Sequence, residues 1–403
     1  MTMPVHNSSN IQVVHISTGY NGGAALAARR LNASLNSLGF ESYFGAISQK
    51  GYSPSTHEFE ISRSTIGRIT SGILTRIQLN LSKKVFFSLF SLDILPKKHI
   101  TSRGSKNNTI LHFHNWYNLV SQKEIARWAK QGYKVVVTMH DQRMMTGGCH
   151  YAFTCKGLYS NCESCPELSS VVNNIPKRNI ERFSKELTQV HGNITFISPS
   201  RWLDSEAKNS YLLRDQKTVF IPNTLGSTPS PNYNSSWIID TNSLNVGIAS
   251  MEPNSYIKGG DLTTSLENSV RGREIPVIFH KMRDFPQNAQ GIQNFWSTID
   301  YLLVISRADN SPNVIHEAKQ FGVPVIASKV GGITELLDSR FDLGIELDEC
   351  NESNLLKLLV SLIGKELDQG ARENMQSRYY EYVNNSTVQH IELYKKLLSE
   401  SRD

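Results

Sequence analysis

Long apolar runs are missing from this 403-residue sequence, since the longest candidate, VFFSLFSL at 85–92, is far shorter than a membrane-spanning helix of about 20 residues. The start, MTMPVHNSSN, lacks the basic region and apolar stretch of a secretory signal. Charged residues make up 19% and the net charge is +6, which does not indicate a nucleic-acid partner. We therefore expect a folded cytoplasmic protein, and its length predicts two domains.

Cysteine is scarce, and four of the five cysteines fall within one stretch, CHYAFTCKGLYSNCESCP. They are Cys149, Cys155, Cys162 and Cys165. The last two, Cys162 and Cys165, are separated by two residues, a C-x2-C spacing that is common in tetrahedral zinc sites. Clustered thiols in a cytoplasmic chain also favour metal binding over disulfides. We predict a structural zinc site, because four cysteine ligands leave no open position for catalysis. Two disulfides or plain thiols in a loop are the alternatives.

Apolar runs alternate with helical patterns in two series along the chain. The first series opens with a strand, a glycine loop, a helix and a strand, which is a βαβ unit and indicates a parallel sheet. A stretch rich in Pro, Asn and Ser at 222–236 predicts a linker, after which the alternation restarts. We therefore expect two doubly wound α/β domains, with strands at 11–16, 41–47, 109–114, 134–140, 194–198, 244–250, 276–280, 300–306, 323–328 and 341–347.

Two acids, Asp309 and Glu317, stand on either side of a predicted helix start in RADNSPNVIHEAKQFG. Ser311 and Pro312 form a typical start, with serine as the cap. The amides of residues 313–315 would then be free to bind an anion such as phosphate. Because carboxylates repel phosphate, we expect the acids to accept hydrogen bonds from hydroxyl groups. A sugar nucleotide offers both phosphate for the amides and hydroxyl groups for the acids. The alternative is that the acids only complement the helix dipole.

The stretch DNSPNVIHEAKQFGVPVIASKVGGITEL resembles the signature of the retaining glycosyltransferases of family four, which have the GT-B fold. In that family the first acid is usually Glu, whereas this chain has Asp309. Further stretches resemble the family in order, including a subgroup that builds bacterial surface polysaccharides: GYNGGAALAARRL, HFHNWYNLVS, VVVTMHDQRMMTGGCHY, FISPSRWL, VFIPNT and YIKGGD.

The resemblance implies two Rossmann-like domains that face each other across a cleft. It places an acceptor-side domain at 1–215, a domain for the nucleotide sugar at 216–377, and a helix at 378–403 that packs back on the first domain. The implied activity is transfer of a sugar from a nucleotide sugar to a growing, lipid-linked glycan with retention of configuration. Neither a catalytic metal nor a covalent protein nucleophile is implied.

The resemblance also assigns roles to individual residues. The implied catalytic residues are His140, Asp309 and Lys258. The implied donor-binding residues are Gly22, Gly23, Lys258, Ser311, Asn313, Val314 and Glu317, and the acceptor side comprises His112, His114 and Asp141. An arginine that the family often carries shortly before the lysine is absent, which leaves Lys258 and the helix amides to neutralise the diphosphate.

The segment 61–108 holds nine Lys and Arg against one acid, Asp93, interleaved with apolar residues. A basic amphipathic pattern suits an anionic membrane surface, and it would place the protein on the inner face of the cell membrane. The alternative is a helix whose apolar side faces the core. Two other functions also remain open: a sugar-nucleotide epimerase on the same fold, and a non-catalytic subunit with a decayed donor site.

Overall fold

The computed structural model describes residues 11–49, 51–62, 65–79, 81, 86–93, 95–190, 192–224, 242–249, 255–365, 369–383 and 385–400. The chain divides into two compact units, which we call the first domain (Met1–Ser227 with Asn385–Asp403) and the second domain (Thr228–Asn384). Each is built on one parallel sheet, which confirms the predicted α/β class. Most of the predicted linker, 225–236, lies outside the described residues.

The first domain has a seven-stranded sheet in the order β3-β2-β1-β4-β5-β6-β7. The strands β4, β5 and β6 are buried along their whole length, as expected for parallel strands with helices on both faces. The strands are β1 (Gln12–Ser17), β2 (Glu41–Ile47), β3 (Glu58–Ile61), β4 (Thr109–Phe113), β5 (Lys134–Thr138), β6 (Ile194–Ser198) and β7 (Thr218–Phe220).

The helices of the first domain cover both faces of this sheet. Val14 and Ile16 of β1 pack into the core on one face, whereas Val13 packs into a second core on the other. The helices are α1 (Gly23–Ser37), α2 (Thr65–Leu79), α3 (Lys98–Thr101), α4 (Gln122–Lys130), α5 (Ile175–Thr188), α6 (Arg201–Asn209) and, from the end of the chain, α13 (Ser386–Ser399).

The C-terminal helix α13 completes the core of the first domain. Its Leu393, Tyr394 and Leu397 are buried in the same cluster as Val13 and Leu35. The chain thus returns to the first domain at its end, from Asn385 onward. The helix before it, residues 369–383, stays in the second domain, where its Tyr379 hydroxyl bonds to His316.

The second domain has a five-stranded parallel sheet in the order β12-β11-β10-β8-β9, with cores on both faces. Its strands are β8 (Leu244–Ile248), β9 (Val277–Lys281), β10 (Tyr301–Val304), β11 (Val325–Ser328) and β12 (Leu343–Ile345). Its helices are α7 (Gly260–Gly272), α8 (Ala289–Thr298), α9 (Asn313–Gln320), α10 (Ile333–Leu336), α11 (Glu352–Leu362) and α12 (Gln369–Val383).

Two strands of the first domain do not appear in the sequence prediction. β3 alternates charged and apolar residues over only four positions, and β7 has three residues within a stretch that resembles an interdomain motif. Since β7 pairs with β6, the first sheet extends past residue 215.

Within the described part of the chain, no helix combines the length and the apolar character that crossing a bilayer demands.

Candidate functional site

The candidate donor site of the second domain lies where the strand order reverses. β8 and β10 are adjacent and parallel, and the chain leaves them in opposite directions, which opens a crevice at their carboxyl ends. Lys258 follows β8 and Asp309 follows β10. Their side chains form an ion pair, with 2.5 Å between Lys258 Nζ and Asp309 Oδ2. Two of the predicted catalytic residues, 51 positions apart, are thus brought together.

Gly259 explains how the lysine loop approaches β10 so closely. This residue precedes α7 and has φ +70°, a conformation that favours glycine. A Cβ atom at this position would lie 2.1 Å from the carbonyl oxygen of Ile305, just beyond β10. Any side chain would therefore push Lys258 away from Asp309.

Arg307 is a basic residue of this site that the sequence analysis does not identify. Its guanidinium forms two bonds to the carboxylate of Asp261, at 2.6 and 2.7 Å, and a third to the carbonyl of Tyr256 at 2.8 Å. The Arg307 amide also donates to the carbonyl of Ile257 at 2.7 Å. A guanidinium thus lies against the lysine loop, although the sequence before Lys258 has no arginine. The available signal is an arginine directly after a strand and two residues before Asp309.

The helix start after Asp309 differs from the prediction in one respect. α9 begins at Asn313, Pro312 is its N-cap, and the side chain of Ser311 does not cap it. Ser311 Oγ instead lies 2.6 Å from His316 Nε2, whose other ring nitrogen bonds the Tyr379 hydroxyl. A side chain of α9 itself, five residues along the chain, therefore engages the serine hydroxyl.

One of the three backbone amides predicted to bind an anion at the start of α9 is already paired. The Ile315 amide donates to the carbonyl of Pro312 at 3.0 Å, so it is not available to a ligand. Asn313 and Val314 are partly exposed in the first turn, and Glu317 is partly exposed one turn further on. The predicted donor-binding residues Ser311, Asn313, Val314 and Glu317 therefore lie along one loop and helix, and Asp309, the partner of Lys258, comes just before them in the sequence.

The glycine pair of the first domain also lies at a reversal of strand order, between β1 and β4. Gly22 is the N-cap of α1 with φ +93°, and Gly23 is the first residue of that helix. No atom lies within 4 Å of a Cβ built on Gly22, so the backbone conformation, and not crowding, is what requires glycine.

A row of buried histidines runs across the middle of the first sheet. His15 Nδ1 lies 3.0 Å from His114 Nε2, and His114 Nδ1 lies 3.3 Å from His140 Nε2. His112 is enclosed, with its ring nitrogens 2.8 Å from the Tyr394 hydroxyl and 2.7 Å from the hydroxyl of Thr138. Of the two predicted acceptor-side histidines, only His114 lines the adjoining small cavity, together with Ala27, Leu31, Thr138, His140, Ile221, Pro222, Asn223, Thr224 and His390.

Burial keeps these imidazoles neutral near pH 7. It lowers the pKa of His15 to about 3, with repulsion from His390 adding to the effect. Burial also lowers the pKa of His140 to about 4, although the Asp141 charge opposes it, and that of His390 to about 4. A neutral imidazole both donates and accepts hydrogen bonds, so His140 can bind a hydroxyl group.

Asp141 is held in a network of its own beside His140. Its carboxylate accepts bonds from His150 at 2.6 Å, from the Tyr117 hydroxyl at 2.8 Å and from the Arg143 amide at 2.8 Å. Burial opposes ionisation, but these partners outweigh it and hold the pKa of Asp141 below its usual value. The structure therefore presents Asp141 as an ionised anchor for the loop after β5.

Among the described residues, three side chains that could bind a metal have their ligand atoms within 4.8 Å of one another. They are His15, His112 and His114. Their rings are tilted by 32 to 38° to one another, with centroids 4.1 to 5.2 Å apart, and their nitrogens mostly bond to one another and to hydroxyls. This arrangement is that of a hydrogen-bonded cluster. The four clustered cysteines are free thiols and are not drawn together to that distance.

Comparisons with known proteins agree with this geometry. Residues 248–364 match the family model described as glycosyl transferases group 1. WcaC of Escherichia coli K12, named as a putative colanic acid biosynthesis glycosyl transferase, is 25% identical over 293 residues, covering 62% of this chain and 68% of that protein.

Solved structures share the fold at low sequence identity. The sucrose-phosphate synthase of Thermosynechococcus elongatus has a TM-score of 0.62 and 14% identity, with 97% of this chain and 100% of that one covered. Anabaena HepE in complex with UDP has a TM-score of 0.55 and 13% identity, with 96% and 100% covered. These findings together indicate that the chain has the two-domain GT-B fold of glycosyltransferases. Over residues 248–364 it is similar to the group 1 glycosyl transferases.

Proposed function

We propose that this protein transfers a sugar, with retention of configuration, from a nucleotide sugar to a growing, lipid-linked glycan of a cell-surface polysaccharide. The observation that carries the proposal is the Lys258–Asp309 ion pair next to the start of α9, inside the stretch that matches the glycosyl transferase family. Similarity to a relative named for colanic acid biosynthesis supports a polysaccharide product. HepE, solved with UDP, makes UDP the first donor base to test.

In the proposed mechanism, positive charge meets the diphosphate as it leaves. Lys258 is partly exposed and held by the almost buried Asp309, so its ammonium is positioned before the donor arrives. The helix start at Asn313 and Val314 adds the positive end of the α9 dipole. A site that is organised in advance stabilises developing charge without reorganisation, which is usually the largest catalytic contribution.

Hydroxyl recognition falls to the remaining candidate residues. We assign Glu317 to the ribose hydroxyls of the nucleotide and Asp309 to a hydroxyl of the transferred sugar. His140, kept neutral by burial, binds a hydroxyl through its imidazole in the first domain. The acceptor hydroxyl attacks the face that the diphosphate leaves, and a leaving phosphate oxygen takes its proton. No protein nucleophile and no metal takes part in these steps.

The experiment that tests this function is thermal unfolding of the purified chain with UDP, GDP, ADP or TDP. A ligand that binds only the folded state raises Tm, by an amount that corresponds to about 2.7 kcal/mol at one hundred times Kd. We expect a shift with one nucleotide and its loss in Glu317→Ala. The control is Glu346→Ala, which removes an exposed carboxylate of the same domain that pairs with Lys329. No shift with any nucleotide would favour the non-catalytic subunit instead.

The membrane part of the proposal rests on α2 in the first domain, a helix that exposes isoleucines and buries polar residues. On α2, Ile69, Ile73 and Ile77 form a stripe with exposed fractions of 59, 54 and 50%. Among the residues of α2 whose burial the structure describes, the polar Ser71 and Gln78 are buried, as is Gly67. The isoleucine stripe therefore faces outward, which supports a lipid-facing helix over a core-facing one. An exposed isoleucine stripe in a segment with a net charge of +8 is suited to anionic lipid.

Sedimentation with lipid vesicles checks this membrane contact. We expect binding to vesicles that contain phosphatidylglycerol, weaker binding to phosphatidylcholine alone, and a decrease with added salt. Ile73→Asp should weaken binding at least about tenfold, because burying an isoleucine contributes about 1.5–3 kcal/mol. Val360→Asp changes an exposed apolar residue of the second domain and should bind as the unchanged protein does. Equal binding by both variants would remove α2 from the lipid surface.

A further inference from the structure

We propose that Cys149, Cys155, Cys162 and Cys165 bind one structural zinc ion, independently of the proposed activity. The four thiols lie in the connection between β5 and α5. Residues 145–174 of this connection contain a single short helical turn, Gly157–Tyr159, yet they bury Met145, Leu158 and Leu168. Loops of this length without secondary structure are uncommon in compact domains, and a metal is a standard means of ordering them.

The thiols approach one another from two sides of the loop. Cys155 and Cys162 pack against the main core of the first domain, whereas Cys149 and Cys165 pack against a smaller cluster formed by Phe87, Leu89 and Leu168. Gly157 leaves room between the first pair, since a Cβ there would lie 3.3 Å from Cys155 Sγ and 3.6 Å from Cys162 Sγ. A metal placed among the thiols would therefore connect the two clusters.

A backbone amide already points at one of the four sulfur atoms. The Gly157 amide donates to Cys155 Sγ at 3.4 Å. Burial raises the pKa of Cys149, Cys162 and Cys165 above the usual range, so these thiols stay protonated until a metal displaces the protons. Zinc binding is therefore expected to release protons, because the thiolate is the form that coordinates the metal.

The backbone around the C-x2-C pair is tightly curled. Cys162 and Ser164 both have φ +54°, the left-handed region that non-glycine residues rarely adopt. Such strain persists only where the surroundings enforce it, and it is concentrated at functional sites. At Cys155 the donor amide comes from two residues further along, so this turn folds around its sulfur.

A buried cation compensates the charge that zinc binding would create. Four thiols release four protons when they bind Zn²⁺, and the resulting tetrathiolate centre carries a net charge of −2. The Arg143 guanidinium is buried, donates to the carbonyls of Ser88 and Thr146, and interacts electrostatically with Cys149 and Cys162. A buried negative centre is tolerated when such a partner is present.

Zinc coordination also requires that the sulfur atoms move inward. Zinc holds each Sγ at about 2.3 Å, which places the sulfurs about 3.8 Å from one another in a tetrahedron. The four thiols are not mutually within 4.8 Å in the structure, so rotation of their side chains has to close the site.

Zinc content of the full-length chain tests the proposal directly. The protein is produced in zinc-supplemented medium, purified without metal-affinity steps, dialysed and analysed by inductively coupled plasma mass spectrometry. We expect about one zinc per chain, as for a closed tetrahedral site. The control Cys350→Ser removes the remaining cysteine, which lies in the second domain, and should keep the zinc. The double variant Cys162→Ser with Cys165→Ser should lose it.

Two further measurements keep the test decisive if the double variant fails to fold. Removing zinc from the unchanged protein with a chelator should lower Tm and raise the number of titratable thiols from about one to five. Non-reducing mass spectrometry shows whether disulfides are present. Zinc far below one per chain, five freely titratable thiols at the outset, or a mass that fits two disulfides would each overturn the proposal. Nucleotide binding is measured separately, so failure here leaves the proposed function untouched.

Discussion

Replacing Lys258 by alanine should lower kcat about 10²–10³-fold, or about 2.7–4 kcal/mol, the range for removal of one group that stabilises transition-state charge. The reason is that Lys258 is held at 2.5 Å by Asp309, which precedes the first residue of α9 by four positions. The donor should still bind, because the helix amides and Glu317 remain. Release of nucleotide from the donor identified by thermal unfolding measures turnover, and calorimetry measures Kd.

The matched control for Lys258 is Lys329→Ala. Lys329 lies in the same domain and forms an exposed ion pair with Glu346 at 2.8 Å, so its loss should leave turnover unchanged. Turnover within about threefold of normal in Lys258→Ala would contradict the assignment, since that change is worth less than about 1 kcal/mol.

A double-mutant cycle separates two roles of Asp309. If Asp309 acts only by holding Lys258, the double variant should be as slow as Lys258→Ala alone. If its carboxylate also binds a sugar hydroxyl, as we propose, the double variant should be slower than either single variant. Asp309→Ala should harm turnover more than nucleotide binding, whereas Glu317→Ala should mainly weaken binding. Equal effects of the two variants on both quantities would remove the distinction.

Acidification should unfold the first domain at a mild pH because of its buried histidines. The folded pKa values of about 3 and 4 for His15, His140 and His390 lie below the unfolded value of about 6.5, and those of His112 and His114 are also well below it. Between about pH 6.5 and 4 the unfolded chain therefore binds more protons than the folded one, so stability falls as pH falls.

The size of this effect follows from the number of groups. One fully shifted histidine contributes up to about 1.4 kcal/mol per pH unit, and five together remove several kcal/mol per unit, against a typical total of about 5–15 kcal/mol. Urea unfolding at several pH values, followed by circular dichroism, measures the slope. His390→Gln should reduce the slope, whereas His57→Gln, at an exposed position, should not. Constant stability from pH 7 to 5 would show that the histidines are not kept neutral.

Features that depend on neighbours along the chain are predictable from the sequence. The βαβ alternation, the strand at Glu41–Ile47, the glycine at the start of α1 and the acids around α9 all follow from local spacing of apolar residues, glycine and proline. The resemblance to a known family adds the chemical class of ligand that these residues would bind, but not which residues contact one another. Short elements such as β3 and β7 escape because three or four residues carry too little periodicity.

Contacts between distant segments were decided by the tertiary structure alone. The Lys258–Asp309 pair depends on β8 lying beside β10, and the His112–Tyr394 bond joins residues 282 positions apart because α13 returns to the first sheet. Likewise, His316, which Ser311 contacts instead of capping α9, bonds to the Tyr379 hydroxyl, 63 positions away, because α12 packs against α9. The amino-acid sequence by itself determined the longer elements and where their polar ends lie. Strand order and the return of the C-terminal helix determined which of those ends meet, since packing across a sheet has no local pattern.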